Sequence, residues 1–208
     1  ITRKGLKKDS ELPKKINKAV FPGLQGGPHE NNIAGIAVAL KEASCARFRK
    51  YGNQVVKNAR VLADSLQKHG IKLCSGGTDT HLILIDLIDL NILGNTAAQA
   101  LEFANIITNR NSIPYDKNPP FYPSGLRLGT PGPTSRGMGR REMKLIGKWV
   151  ANILAEVAEI KIFMNISNED EKRENIRKKI INNSKIIIRV KKQVKVLCKK
   201  FSIKKRGE

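Results

Sequence analysis

Apolar side chains recur at three- and four-residue intervals from residue 31 to 69, with Ile33, Ile36, Ala37 and Leu40 on one face at the start. That spacing predicts a long helical stretch, with a break near Gly52 and a glycine C-cap at His69-Gly70. Residues 71–75 read as a short strand and Gly76-Gly-Thr-Asp as a turn. The run His81-Leu-Ile-Leu-Ile-Asp-Leu is a strongly β-prone, buried strand. Asn95-Thr96 is placed to cap a helix containing Ala97, Ala100, Leu101 and Ala104. Residues 109–124 then read as loop, with Pro114, Pro119, Pro120 and Pro123, before a short strand, Gly125-Leu-Arg-Leu-Gly. A further helix is predicted over 139–157, with Met143, Ile146, Val150 and Leu154 along one stripe. Strands alternating with helices predict an α/β fold built as a compact mixed-sheet domain, without internal repeats.

Charge changes the picture at one end. The formal net charge is +21, and 171–208 holds 15 Lys/Arg against 3 Asp/Glu, more than half the excess in under a fifth of the chain. Apolar residues recur there at helical spacing among the lysines, as in Ile186-Ile-Ile-Arg-Val and Val194-Lys-Val-Leu-Cys. One reading is a solvated basic helix packing its apolar stripe onto the domain; the other is binding to a phosphate backbone.

With 208 residues and 40% hydrophobic content, the chain suits one large domain, or one domain plus part of another. Its three cysteines, Cys45, Cys74 and Cys198, are far apart, which suggests neither a disulfide framework nor a zinc site and fits a reducing cytoplasm. No long apolar leader opens the sequence, and the apolar stretch 81–93 is interrupted by Asp86 and Asp89, so neither secretion nor a membrane span is expected. The first residue is not Met, which points to an excised or incompletely read frame.

Two segments carry candidate chemistry. In Phe21-Pro-Gly-Leu-Gln-Gly-Gly-Pro-His, Gly23, Gly26 and Gly27 are free to take positive φ and to leave amides uncovered, while Pro22 and Pro28 stiffen the turn. Such a loop feeding a helix N-terminus could hold an oxyanion; it could equally be an ordinary turn. Arg127, between two leucines on a short strand, suits fork-like capture of a carboxylate, or a structural salt bridge. Asn109 and Asn111 could read an amide-rich heterocycle or simply turn the backbone.

Taken together, the chain resembles serine hydroxymethyltransferases. The motifs that carry the resemblance follow in order: Phe21-Pro-Gly-Leu-Gln-Gly-Gly-Pro-His, Ile33-Ala-Gly-Ile-Ala-Val-Ala-Leu-Lys-Glu-Ala, Gly76-Gly-Thr-Asp-Thr-His-Leu, Asn109-Arg-Asn-Ser-Ile-Pro and Ser124-Gly-Leu-Arg-Leu-Gly-Thr-Pro. They cover essentially all of 1–150, and Val194-Lys-Val-Leu-Cys-Lys-Lys-Phe is similar to that family's last helix. The resemblance implies a pyridoxal 5'-phosphate enzyme of fold type I, the aspartate-aminotransferase type, which interconverts serine and glycine with tetrahydrofolate as co-substrate. It implies that 1–43 ends the large cofactor domain, that 44–157 is the small carboxy-terminal α/β domain, and that 158–208 is a basic helical tail completing it.

By position, the resemblance assigns Gly26 and Gly27 to the cofactor phosphate, in a loop (21–29) that reaches the neighbouring subunit's site of a homodimer or tetramer. It assigns Arg127 to the substrate carboxylate, and Asn111, Pro119, Pro120 and Phe121 to the folate pocket, although the family often has Ser where Pro119 stands. His81 and Asp86 are read as structural residues at the ends of a buried strand, and His29 as a turn or interface residue.

The family's Schiff-base lysine lies in a Thr/His-rich segment, and no Thr-Thr-His-Lys-like run occurs in these 208 residues. Lys4 and Lys7 have no supporting context. No catalytic residue is therefore assigned, no metal site is expected, and activity of the chain alone is doubtful. Two function classes follow: the carboxy-terminal part of a serine hydroxymethyltransferase, or a non-catalytic remnant of the fold whose basic tail contacts nucleic acid or another polyanion. In the first class no nucleic-acid or membrane partner is expected.

Overall fold

A computed structural model describes residues 3–159 and 184–203. The chain divides into two compact units, 1–48 and 49–208.

The first unit is helical. Helix α1 (Arg3–Lys8) and α2 (Leu12–Lys18) precede a wide π-type turn, Ala19–Leu24, interrupted by extended backbone at Phe21. Helix α3 (Glu30–Ala43) follows. It bears the predicted apolar face but buries none of it: Ile33, Ile36 and Leu40 are 56%, 59% and 67% exposed.

Helix α4 (Ala46–Lys68) belongs almost wholly to the second unit. The predicted break in this helical stretch falls at Ser44-Cys45 rather than at Gly52, which stays inside α4. Gly52 lacks tertiary neighbours that would force a kink, since a Cβ built there meets nothing within 4 Å. The C-cap forms as expected: Gly70 has φ +80° and the Ile71 amide reaches back to the Leu66 carbonyl at 3.0 Å.

The sheet has three strands, β1 (Leu82–Asp86), β2 (Asn109–Asn111) and β3 (Gly125–Gly129), in the order β1-β3-β2. Both pairings are antiparallel, so the expected mixed sheet is not what forms. Residues 71–75 make only an isolated bridge, Leu73 to Ile85, because the chain touches β1 there without running beside it. Conversely, β2 lies within the stretch read as loop. Its Asn-Arg-Asn composition is poor for a strand, and its pairing with β3 supplies the order that local propensity does not.

Helix α5 (Gly94–Phe103) starts earlier than predicted, with Leu93 at the cap position and no side-chain cap. Asn95 instead donates its side-chain amide to the Phe121 carbonyl at 3.2 Å. After the short α6 (Pro131–Ser135), helix α7 (Arg140–Glu159) begins where Glu142 accepts from the Gly139 amide at 2.8 Å, and it buries the predicted Met143, Val150 and Leu154.

Helix α8 (Lys185–Lys200) buries Ile187, Val190 and Val194 against the core. Ser184 caps it, accepting from the Ile187 amide at 3.0 Å. Over these residues the basic helix packs its apolar stripe on the core, while 160–183 and 204–208 of the predicted tail lie outside the described residues.

Strand alternation then fixes two faces. Ile83, Ile85, Leu126 and Leu128 enter one core with Leu62, Leu66, Leu101, Val150 and Leu154 from the helices. Leu84, Arg127 and Asn109 lie on the opposite face.

Candidate functional site

In the first unit, Gly26 and Gly27 are exposed, and among the described residues no hydrogen bond takes their amides. The neighbouring Gln25 amide is committed to the Val20 carbonyl at 2.7 Å. None of Gly23, Gly26 and Gly27 adopts the positive φ that the sequence allowed. Gly23 is required for a different reason, because a Cβ there would stand 2.9 Å from the Lys18 carbonyl oxygen as the turn closes. His29 occupies the cap position of α3, and its carbonyl accepts from Asn32 and Ile33 at 2.9 and 3.1 Å. Two uncommitted amides ahead of a helix N-terminus fit a phosphate oxygen.

In the second unit, Arg127 lies on the central strand, directly opposite Leu84 on β1 and Asn109 on β2. Its side chain is exposed, and among the described residues no carboxylate pairs with it and no hydrogen bond engages its guanidinium. Leu126 and Leu128 anchor the strand in the core on either side, so the arginine projects from a rigid support. Beyond the end of β3, the Thr130 hydroxyl donates to the Val55 carbonyl at 2.9 Å and the Thr134 hydroxyl to the Thr130 carbonyl at 2.7 Å. Fully buried Asn58 donates to Thr134 Oγ1 at 2.8 Å and to the Met138 carbonyl at 2.9 Å, tying this segment to α4.

Asn111 shares the Arg127 face, opposite Gly125, and its side-chain amide donates to the Ser112 carbonyl at 2.7 Å. Gly125 has no alternative there, because a Cβ would meet Ile113 Cγ2 at 2.5 Å and the Asn111 carbonyl at 2.6 Å. Pro119, Pro120 and Phe121 are exposed in the loop before β3. Phe121 lies under the Arg110 guanidinium, 5.5 Å from its ring centroid, and edge-on to Tyr122. Arg110 opposes Leu126, so its Cβ points to the helical side of the sheet. Asn111 and Arg127 are therefore brought to one face, whereas Phe121 is held at the β2 edge by Arg110 and Asn95.

The organiser of this loop is Asp116, a residue outside the motifs that the sequence singles out. Its carboxylate accepts from the amides of Ile113, Asn118 and Ser124 at 3.3, 3.0 and 2.8 Å and from the Ser124 hydroxyl at 2.7 Å. Desolvation pushes its pKa up, but these hydrogen bonds outweigh that and hold it below the ordinary carboxylate value. The signal available in the sequence was an aspartate with Asn two residues on, the mark of an Asx turn.

Asp86, at the end of β1, is structural as expected: it accepts from the Ile88 amide at 2.9 Å and pairs with Lys72 at 3.2 Å. Hydrogen bonds to Asp86 and then Asp89 raise the Lys72 pKa. His81 differs from the reading of a satisfied histidine. Its side chain is exposed and without a hydrogen bond among the described residues, while its carbonyl accepts from the Thr130 amide at 3.3 Å. Among the described residues no group of His, Cys, Asp and Glu forms a metal site, and no helix is long and apolar enough to cross a membrane.

By its architecture the 49–208 unit is a mixed helix–strand domain, an antiparallel sheet with helices packed on one face. Comparison with known proteins makes the class particular: residues 1–150 match the serine hydroxymethyltransferase family model, and the chain belongs to that family. It is 50% identical over 160 residues to the serine hydroxymethyltransferase of Desulfotalea psychrophila, covering 77% of this chain and 38% of that protein. It is 44% identical over 197 residues to that of Legionella pneumophila, covering 95% and 42% respectively. The Methanospirillum hungatei enzyme of the same name is 50% identical over 161 residues, and 39% of its length is matched. The chain thus spans about two fifths of these relatives.

Proposed function

We propose that this chain is the carboxy-terminal part of a cytoplasmic, pyridoxal-phosphate-dependent serine hydroxymethyltransferase of fold type I, which interconverts serine and glycine with tetrahydrofolate in one-carbon metabolism. In this reading 1–43 ends the cofactor domain, 44–157 forms the small α/β domain and 158–208 completes it. The enzyme is a homodimer or tetramer in which the 21–29 loop serves the neighbouring subunit.

The observation that carries the reading is the Arg127 guanidinium, unpaired among the described residues, on the face of the central strand opposite the core. Its planar fork matches a carboxylate with two parallel N–H···O bonds, and binding an amino acid there breaks no existing ion pair. The amides of Gly26 and Gly27 would take the cofactor phosphate. Asn111 would present its carbonyl oxygen to the folate ring, with Pro119, Pro120 and Phe121 giving that ring an apolar wall. Pyridoxal phosphate, when bound, supplies the electron sink for bond breaking at the substrate α-carbon. The chain's own contribution is to orient the amino acid through its carboxylate and to position the folate.

The test is Arg127→Lys in a holoenzyme of full relative length carrying these 208 residues. A point-charge ammonium cannot replace the fork, so serine affinity should fall about tenfold or more while cofactor content stays unchanged. Serine affinity equal to that of the unsubstituted enzyme overturns the assignment.

A further inference from the structure

A cavity in the 49–208 unit is lined by none of these residues. It has a volume of about 750 Å³ and lies between the C-terminal half of α8, the α6–α7 turn and the 105–107 segment. Pockets of about 300–1,000 Å³ accommodate small organic ligands. The larger part of its wall is apolar, with Leu62, Leu128, Met143, Trp149, Val194 and Leu197, and Asn105, Ser135 and Ser202 add polar groups. Ile107 and Ile203, which also line it, are 77% and 79% exposed, so apolar surface continues to its edge.

Among the described residues Arg136 is the charged side chain that lines the cavity, and no Asp or Glu does. The guanidinium is held in place: Nε donates to the Phe201 carbonyl at 2.7 Å, Nη2 to the Cys198 carbonyl at 2.9 Å and Nη1 to Cys198 Sγ at 3.5 Å. A guanidinium carries five N–H groups, so these contacts leave donors free. Among the described residues no carboxylate neutralises it. A pre-positioned cation without a carboxylate partner, in a largely apolar wall, discriminates by charge: an anion of suitable length gains the electrostatic partner, a neutral analogue gains only burial, and a cation is repelled.

We infer that this cavity binds a small amphipathic organic anion, a carboxylate whose apolar body lies against Trp149 and Met143 and whose charged end meets Arg136. The inference is independent of the serine hydroxymethyltransferase chemistry.

The probes are decanoate, decanol and decyltrimethylammonium, added to the full 208-residue chain. Trp149 is the chain's only tryptophan, so its fluorescence reports on the cavity wall directly. Decanoate should change it saturably, with an affinity about tenfold or more above that of decanol and of the ammonium analogue. Arg136→Gln should bring decanoate and decanol to equal affinity. Because Arg136 also holds the end of α8, a measurement on the unsubstituted chain accompanies this variant. Cys198 lines the cavity and Cys45 and Cys74 do not, so decanoate should slow thiol labelling at Cys198 alone. Lack of saturation, equal affinity for the three probes, or unslowed Cys198 labelling overturns the inference.

Discussion

The carboxylate of Asp116 holds Ser124 twice, taking its amide at 2.8 Å and its hydroxyl at 2.7 Å. Ser124 immediately precedes β3, so this pair sets where the strand that carries Arg127 begins.

That relationship makes the loop pH-sensitive, with a definite sign. The folded pKa of Asp116 lies below its ordinary 3.8, so its contribution is fully present above that value and is lost as pH falls through the lower folded one. NMR titration should show the Ser124 and Asn118 amides shifting together below about pH 4. Asp116→Ala should cost about 1–3 kcal/mol in urea unfolding, because several donors lose their acceptor. Amide shifts that do not follow the carboxyl titration would count against the organising role.

Gly147 of α7 meets Ser65 of α4 so closely that a Cβ would stand 2.6 Å from both Ser65 Cβ and Oγ. Gly147→Ala is therefore expected to destabilise by about 1–3 kcal/mol through overpacking. Gly52→Ala, also in a helix but in open space, should stabilise by about 0.5–1 kcal/mol. Urea midpoints moving the same way for both variants would refute the distinction.

The proposed cofactor dependence yields a negative prediction. The 208 residues contain no Thr-Thr-His-Lys-like run, so incubation with pyridoxal phosphate followed by borohydride should leave no stoichiometric pyridoxyl group on any single lysine, as read by peptide mass spectrometry. A unit-stoichiometry adduct at one lysine would show that this chain holds the anchoring lysine after all.

Replacing Asn58 tests what supports the end of β3. Asn58→Ala strands the Met138 carbonyl and removes a partner of Thr134, both at a fully buried side chain, and should cost about 1–3 kcal/mol. Hydrogen exchange at the 130–138 amides should accelerate relative to that in α7. Uniform acceleration across both would place Asn58 in the general core instead.

Much of this could be read along the chain. The helical spacing of Met143, Val150 and Leu154 and the Gly70 cap rest on interactions within a few residues of one another, so the local pattern encodes them, and the Gly125–Gly129 strand is marked by its own short apolar run although its pairing partners are remote. The family motifs likewise survive as strings, so the candidate chemistry at Arg127 and at Gly26-Gly27 is legible in the sequence alone.

What the pattern left open depends on partners remote in sequence. Residues 109–111 become a strand because β3 offers its edge, and the sheet is antiparallel because of how β1 and β3 meet, a choice that alternation within one strand does not contain. The periodicity of two put Arg127 on one face and its leucines on the other. Only packing decided which face the helices would cover, and so left the guanidinium outside the core while Asp116, an ordinary loop residue by sequence, became the acceptor around which the loop is ordered. Local residue order determined the elements and the chemical groups; tertiary burial, in which each buried donor and apolar face must find a partner, determined where those groups stand.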